Sequence, residues 1–149
     1  MDAVLMWDQV VALSGRVEQE LSRALQRRHG VGLSEFRALC KLASAEDGEL
    51  RMQELADRIG LNQSSISRLV GRMEDAGLTR RDMCDRDRRG VYTVITDEGR
   101  ALYAAAGPTY DAVLREALDR AVGDPAVGGL AALLTGQVRA GAPAEGAPA

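Results

Sequence analysis

Apolar residues recur first at helical spacing. Between Val4 and Arg28 the residues Leu5, Val10, Leu13, Val17, Leu21 and Leu25 form one stripe on a long helix, which the Gly30 and Gly32 pair should end. Ser34 is placed to cap a second helix with Phe36, Leu39, Cys40 and Leu42 on its apolar face, and "SAEDGEL" breaks it. Two shorter amphipathic segments follow. "MQELADRIG" aligns Met52, Leu55, Ala56 and Ile59, and "NQSSISRLVGRMEDAG" repeats the pattern with Ile66, Leu69, Val70 and Met73. Gly60 and Leu61 supply a tight turn between them and Gly77 a C-terminal stop, so the pair predicts a helix-turn-helix unit.

The period then changes. "LTRRDMC" and "VYTVI" are β-prone runs on either side of a charged turn, which predicts a hairpin. Thr96 can cap the next helix, with Asp97 and Glu98 where acidic groups suit the helix dipole. That helix should run through Leu102, Tyr110, Val113, Leu114 and Leu118, with a kink at Gly107-Pro108. Asp124-Pro125 reads as cap and first-turn pair of a last helix bearing Val127, Leu130, Leu133, Leu134 and Val138. The tail "AGAPAEGAPA" is low in complexity and expected to be disordered.

The expected fold is therefore mainly α with a small β-wing. A winged helix-turn-helix domain spans residues 34–96, residues 1–30 and 97–139 form a helical dimerisation region, and 140–149 are a disordered tail. The terminal helices are too long and too apolar for the small winged core to cover. A second copy of the chain could bury them, which predicts a homodimer.

Composition sharpens this picture in two places. Aromatic residues are only 3% of the chain, so the core must be built from Leu, Val, Ala and Ile, which favours helices. The net charge is −3, yet Asn62 to Gly90 holds seven arginines against five acids, so positive charge gathers in the middle of the chain. Cys40 and Cys84 make neither a disulfide framework nor a zinc ribbon. The start lacks a signal peptide's basic region, and no segment approaches the ~20 apolar residues of a membrane span. The cytoplasm is the expected compartment.

The stretch "CDRDRRGVYTVITDEGR" carries the densest charge. Asp85, Asp87 and Gly90 mimic the start of a calcium loop, but Arg89 and Thr96 stand where ligands are needed. An RNA-binding arginine cluster would want stacking partners, and only Tyr92 is near. A plain solvated turn tolerates three arginines without requiring them. A wing tip has a use for them, because a narrow minor groove attracts inserted arginine, and Asp87 could hold the Arg89 guanidinium. On the second short helix, Ser64, Ser67, Arg68, Gly71 and Asp75 lie opposite the apolar arc, with Arg72 to one side. Small hydroxyls and an arginine suit a helix entering a major groove.

The segment from Ser64 to Arg100 strongly resembles the MarR family of bacterial transcription regulators. The resemblance rests on Met73-Glu74-Asp75-Ala76-Gly77-Leu78, then Asp87-Arg88-Arg89 followed by Ile95-Thr96-Asp97-Glu98-Gly99, with Met73 and Ile95 standing where leucine is usual. It implies a winged-helix homodimer on a pseudo-palindromic duplex DNA operator, usually repressing nearby genes and released by a small molecule or an oxidant. It matches Arg89 to the wing arginine, Asp87 to its supporting acid, and Ser64, Ser65, Ser67 and Arg68 to the DNA-facing helix start. The full candidate DNA-contacting set is Asn62, Gln63, Ser64, Ser65, Ser67, Arg68, Arg72, Arg86, Asp87, Arg88 and Arg89.

Sensing is less legible. The peroxide-sensing branch carries a cysteine in the first helix, and none precedes Cys40, which sits on an apolar face as a core residue. Cys84 lies among Arg80, Arg81 and Arg86, which could stabilise a thiolate, so a redox regulator using Cys84 is one alternative. His29 is the only histidine, so no metal site is expected, and no cofactor. A small aromatic or amphipathic effector lined by Trp7, Arg16, Phe36 and Tyr110 is the remaining expectation. The chain has no Gly-x-Ser-x-Gly, no phosphate loop and no acid-base pair, which argues against an enzyme. A winged helix used only to bind protein is the other rival.

Overall fold

The computed structural model describes residues 2–83 and 91–140, the last four of these by backbone alone. Cys84, the residues Arg86, Asp87, Arg88 and Arg89 expected at the wing, and the tail from residue 141 lie outside the described residues. In chain order the elements are α1 (Ala3–His29), α2 (Leu33–Ser44), β1 (Glu49–Arg51), α3 (Met52–Ile59), α4 (Gln63–Asp75), β2 (Thr79–Met83), β3 (Val91–Ile95), α5 (Asp97–Ala121) and α6 (Gly128–Ala140). The chain divides into two compact units, one of residues 25–109 and one of residues 1–24 with 110–149.

The central unit is built on the periodicity of α2, α3 and α4. Leu39, Leu42, Leu55, Ala56, Ile66, Leu69, Val70 and Met73 form one buried cluster with Leu50, Leu78 and Ile95. Each of these leucine, isoleucine, valine and methionine side chains contributes about 1.5–3 kcal/mol when fully buried. Gly30, Gly60 and Gly77 all take positive φ at helix ends, as their positions in the pattern suggest. Cys40 is half-buried, so it borders the core instead of lying inside it.

A three-stranded antiparallel sheet flanks this core in the order β1-β3-β2. Thr79 pairs with Ile95 and Met83 with Val91, while Leu50 of β1 pairs with Thr93 on the opposite edge of β3. The hairpin was expected, but β1 was not, because "SAEDGEL" reads only as a break. A 3-10 turn at Glu46–Gly48, with Asp47 and Gly48 both at positive φ, turns the chain so that three residues can add to β3.

Two helix starts differ from expectation. Leu33 opens α2, and Gly32 stands at the cap; its N–H donates to Glu35 Oε2 at 3.1 Å, so Glu35 takes the role expected of Ser34. α6 begins at Gly128, because Asp124 Oδ1 accepts from Ala126 N at 2.7 Å and closes a turn before the helix. By contrast Thr96 does cap α5, accepting from Gly99 N at 3.0 Å. α5 then continues from Asp97 through Pro108 to Ala121 as one helix.

The motif from Gly77 to Gly99 is tied by direct contacts. Thr96 Oγ1 donates to Gly77 O at 2.6 Å, and Thr96 N donates to Leu78 O at 3.1 Å. A Cβ on Gly99 would overlap the Leu78 carbonyl oxygen, so only glycine lets the first turn of α5 lie this close. The end of α4 and the root of the β2–β3 hairpin are thereby fastened to α5.

In the terminal unit, Leu13, Val17 and Leu21 of α1 are buried, as are Ala117, Leu118, Val127 and Ala131. Arg16 pairs with Asp124 and Glu20 with Arg120 along α1. The apolar stripe of α1 is covered only in part: Val4, Leu5, Trp7 and Val11 are each more than half exposed.

Candidate nucleic-acid interface

Local chemistry sets the start of α4. Gly60 ends α3 in the left-handed region, and Asn62, in extended conformation, accepts Ser65 N at 2.9 Å and Ser64 Oγ at 3.0 Å. Asn62 is thus the cap of α4. The inner face carries Ile66, Leu69, Val70 and Met73, all buried. Gln63, Ser64, Ser67 and Arg68 are exposed on the other side, and Ser65 is half-buried. Ser67 Oγ donates to Gln63 O at 3.0 Å. The Ser64 and Ser67 hydroxyls therefore spend their protons within the helix start and present acceptor lone pairs; each must rotate to donate to a phosphate.

Two acids hold arginines around this helix. Arg72 Nε lies 3.6 Å from Glu35 Oε1 on α2. Arg81 Nε on β2 donates to Glu74 Oε1 at 2.6 Å. On the other face of the sheet, Arg51 Nε donates to Tyr92 OH at 3.1 Å while its guanidinium carbon stands 5.4 Å from the ring centroid. Arg80 and Asp82 pair at 3.8 Å. Sequence reasoning missed Glu35, Arg51, Glu74, Arg81 and Tyr92 as partners, since each contact joins separate elements. The Glu74–Arg81 spacing across Gly77 was the one local hint.

The expected effector residues fall in both units. Phe36 is 2% exposed and stacks on Tyr103 with ring centroids 6.0 Å apart, which makes it a core residue of the central unit. Trp7, Arg16 and Tyr110 belong to the terminal unit; Trp7 is exposed and Arg16 is bound to Asp124. An open groove of about 510 Å³ there is lined by Asp119, Val122, Ala132, Thr135 and Gly136, none of them a predicted effector contact. His29 Nε2 is 2.7 Å from Thr109 Oγ1. Among the described residues no three His, Cys, Asp or Glu side chains are grouped to hold a metal.

The arrangement is a helix-turn-helix whose second helix shows a small polar face, flanked by a three-stranded sheet. Residues 29–90 match the family model described as MarR family. The fold matches the crystal structure of Sco3205, a MarR family transcriptional regulator from Streptomyces coelicolor in complex with DNA, with a TM-score of 0.73 and 29% identity, over 95% of this chain and 88% of that one. Over residues 29–90 the chain resembles the MarR family. Its described elements form a winged helix-turn-helix like that of this regulator. Two further likenesses are partial. The HTH-type transcriptional regulator FarR of Neisseria gonorrhoeae is 38% identical over 67 residues, 45% of this chain and 46% of FarR. The transcriptional regulator HosA of Escherichia coli O111:H- is 32% identical over 84 residues, 49% of this chain and 62% of HosA. The chain therefore spans less than two thirds of the curated relatives it matches. No helix among the described residues is long and apolar enough to cross a membrane.

Proposed function

We propose that this chain represses transcription in the cytoplasm by binding a pseudo-palindromic duplex operator as a homodimer, and that a small-molecule effector releases it. The observation that carries the reading is α4: a helix fixed by the Asn62 cap, buried along Ile66 to Met73 and open along Gln63, Ser64, Ser67 and Arg68. That face fits a major groove, where hydroxyls meet phosphates and arginine forks onto guanine. The DNA complex formed by Sco3205 supports the same use here. Ser65, Arg72 and the wing residues Arg86, Asp87, Arg88 and Arg89 complete the proposed contact set, with Asn62 acting as cap as well as contact.

The homodimer is supported by the terminal unit. Val4, Leu5, Trp7, Val11 and Leu133 are exposed apolar side chains that a second copy would cover. Two reading helices would then address half-sites about one helical turn apart.

The test is binding of the full chain to duplexes selected from a randomised library. A dimeric reader should select an inverted repeat and bind it with a steep negative dependence of log K on log salt. Failure to bind any duplex at low salt would leave the protein-docking use of the fold as the better account.

A further inference from the structure

Arg68 and Arg72 are one turn apart on α4, a spacing that puts two side chains on one face about 5–6 Å apart. Their electrostatic situations differ. Arg68 is exposed and forms no ion pair among the described residues. Arg72, with a side chain 59% exposed, has its Nε 3.6 Å from Glu35 Oε1. The other Glu35 oxygen accepts Gly32 N–H at 3.1 Å, so the carboxylate is anchored at the start of α2 and only 24% exposed. An anchored acceptor holds Arg72 sideways against the neighbouring helix, whereas Arg68 is available at all times.

We infer that Glu35 is a specificity-determining residue: its carboxylate withholds Arg72 from loose, sequence-independent contacts with DNA and yields it to a backbone phosphate only when α4 is seated. The inference rests on the proposed DNA reading. Arg72 follows Gln63 by nine residues, about 13–14 Å along the axis. Base edges are met by the N-terminal residues of a reading helix, so Arg72 reaches the phosphates of the groove wall. A phosphate and the Glu35 carboxylate then compete for one guanidinium. An exposed ion pair is weak, so a phosphate held in place by a seated helix displaces Glu35. A hydrated, sliding contact holds no phosphate in that position, and the pair persists. Specificity is a difference of affinities, and weakening the wrong complex raises it as surely as strengthening the right one.

Three variants test this: Glu35→Gln, whose amide oxygen can still accept Gly32 N–H, Arg72→Gln, and the double substitution. Binding of the full chain is followed by fluorescence anisotropy across a salt series. The probes are the duplex selected by the wild-type protein and a scrambled duplex of equal length. Glu35→Gln should bind the scrambled duplex about two- to fivefold more tightly, the strength of an exposed pair. Its log–log salt slope there should steepen by about 0.9, the value of one added phosphate contact, with the operator slope unchanged. Arg72→Gln should lose about 0.9 of slope on the operator and behave as wild type on the scrambled duplex. In the double variant the gain from Glu35→Gln should vanish. Wild-type affinity of folded Glu35→Gln for the scrambled duplex overturns the inference. So does an Arg72→Gln protein weakened equally on both duplexes, a result that needs no Glu35 variant to fold. Wild-type protein that selects no duplex overturns the DNA reading itself.

Discussion

Glu74 Oε1, in the last turn of α4, accepts a hydrogen bond from Arg81 Nε in the third residue pair of the β2–β3 hairpin, at 2.6 Å. The pair joins α4 to β2 across the Gly77 turn and so helps set the wing relative to the helix. Both side chains retain solvent access, at 26% and 51% exposure, so the coupling should be modest. A double-mutant cycle of Glu74→Ala and Arg81→Ala in urea unfolding should give about 0.2–1 kcal/mol. Operator affinity should fall in both single variants. Unchanged affinity would mean that the strand pairing alone fixes the wing.

Gly99 should tolerate no side chain. In Gly99→Ala the added Cβ meets Leu78 O and Ile95 Cγ1, where backbone leaves no room to yield. Overpacking of this kind costs about 1–3 kcal/mol, readable as a lower urea midpoint. A wild-type midpoint would show that the first turn of α5 can lift away from Leu78.

Leu133→Glu should weaken self-association. Leu133 is 65% exposed on α6, an apolar side chain whose burial in a dimer would contribute about 1.5–3 kcal/mol. Sedimentation should therefore show dimerisation about tenfold weaker or worse. Met83→Glu is the control, because Met83 is 76% exposed but lies on the wing strand β2. Equal effects of the two would place the interface elsewhere.

Asp124 has its pKa lowered, first by the hydrogen bond from Arg16, then by that from Ala126 N. A carboxylate depressed in the folded state contributes stability that is complete above the ordinary aspartate value of 3.8 and is lost as pH falls through the lower folded value. Thermal stability measured from neutral pH downward should thus fall less steeply below pH ~4 in Asp124→Asn than in wild type. Parallel curves would show that Arg16 makes no such demand on Asp124.

Arg89→Lys should lose most of what Arg89→Ala loses in operator affinity, about 1–3 kcal/mol. Lysine keeps the charge but is more strongly hydrated and lacks the planar fork. The deficit should be larger on A/T-flanked than on G/C-flanked sites. Equal affinity of Arg89→Lys and wild type on an A/T-flanked duplex would reduce Arg89 to a surface charge.

Much of the fold is legible in the chain because its signals are local. The stripes Met52 to Ile59 and Ile66 to Met73 repeat at helical spacing, and Gly60 and Gly77 fall where a left-handed residue must end a helix. Thr96 announces its helix in the same way, since a cap needs only residues within one turn. The small polar face of α4 follows from the same wheel. Short or shared features were not legible. β1 is three residues long, too short for alternation to register, and exists because β3 offers it a free edge.

Where two local signals compete, only the folded neighbourhood decides. Ser34 and Asp124 are both good caps by type, yet Glu35 reaches back to Gly32 N–H and Asp124 is drawn into a turn with Ala126. The stripe of α1 marks one apolar face, of which Leu13 is buried and Leu5 is 55% exposed. Periodicity identifies a face and says nothing of how much of it the same chain can cover. The ion pairs Glu35–Arg72 and Glu74–Arg81 lie deepest beyond the sequence. Each joins residues on different elements, and a charge on a solvated helix carries no local mark of its partner; packing alone brings the two within reach.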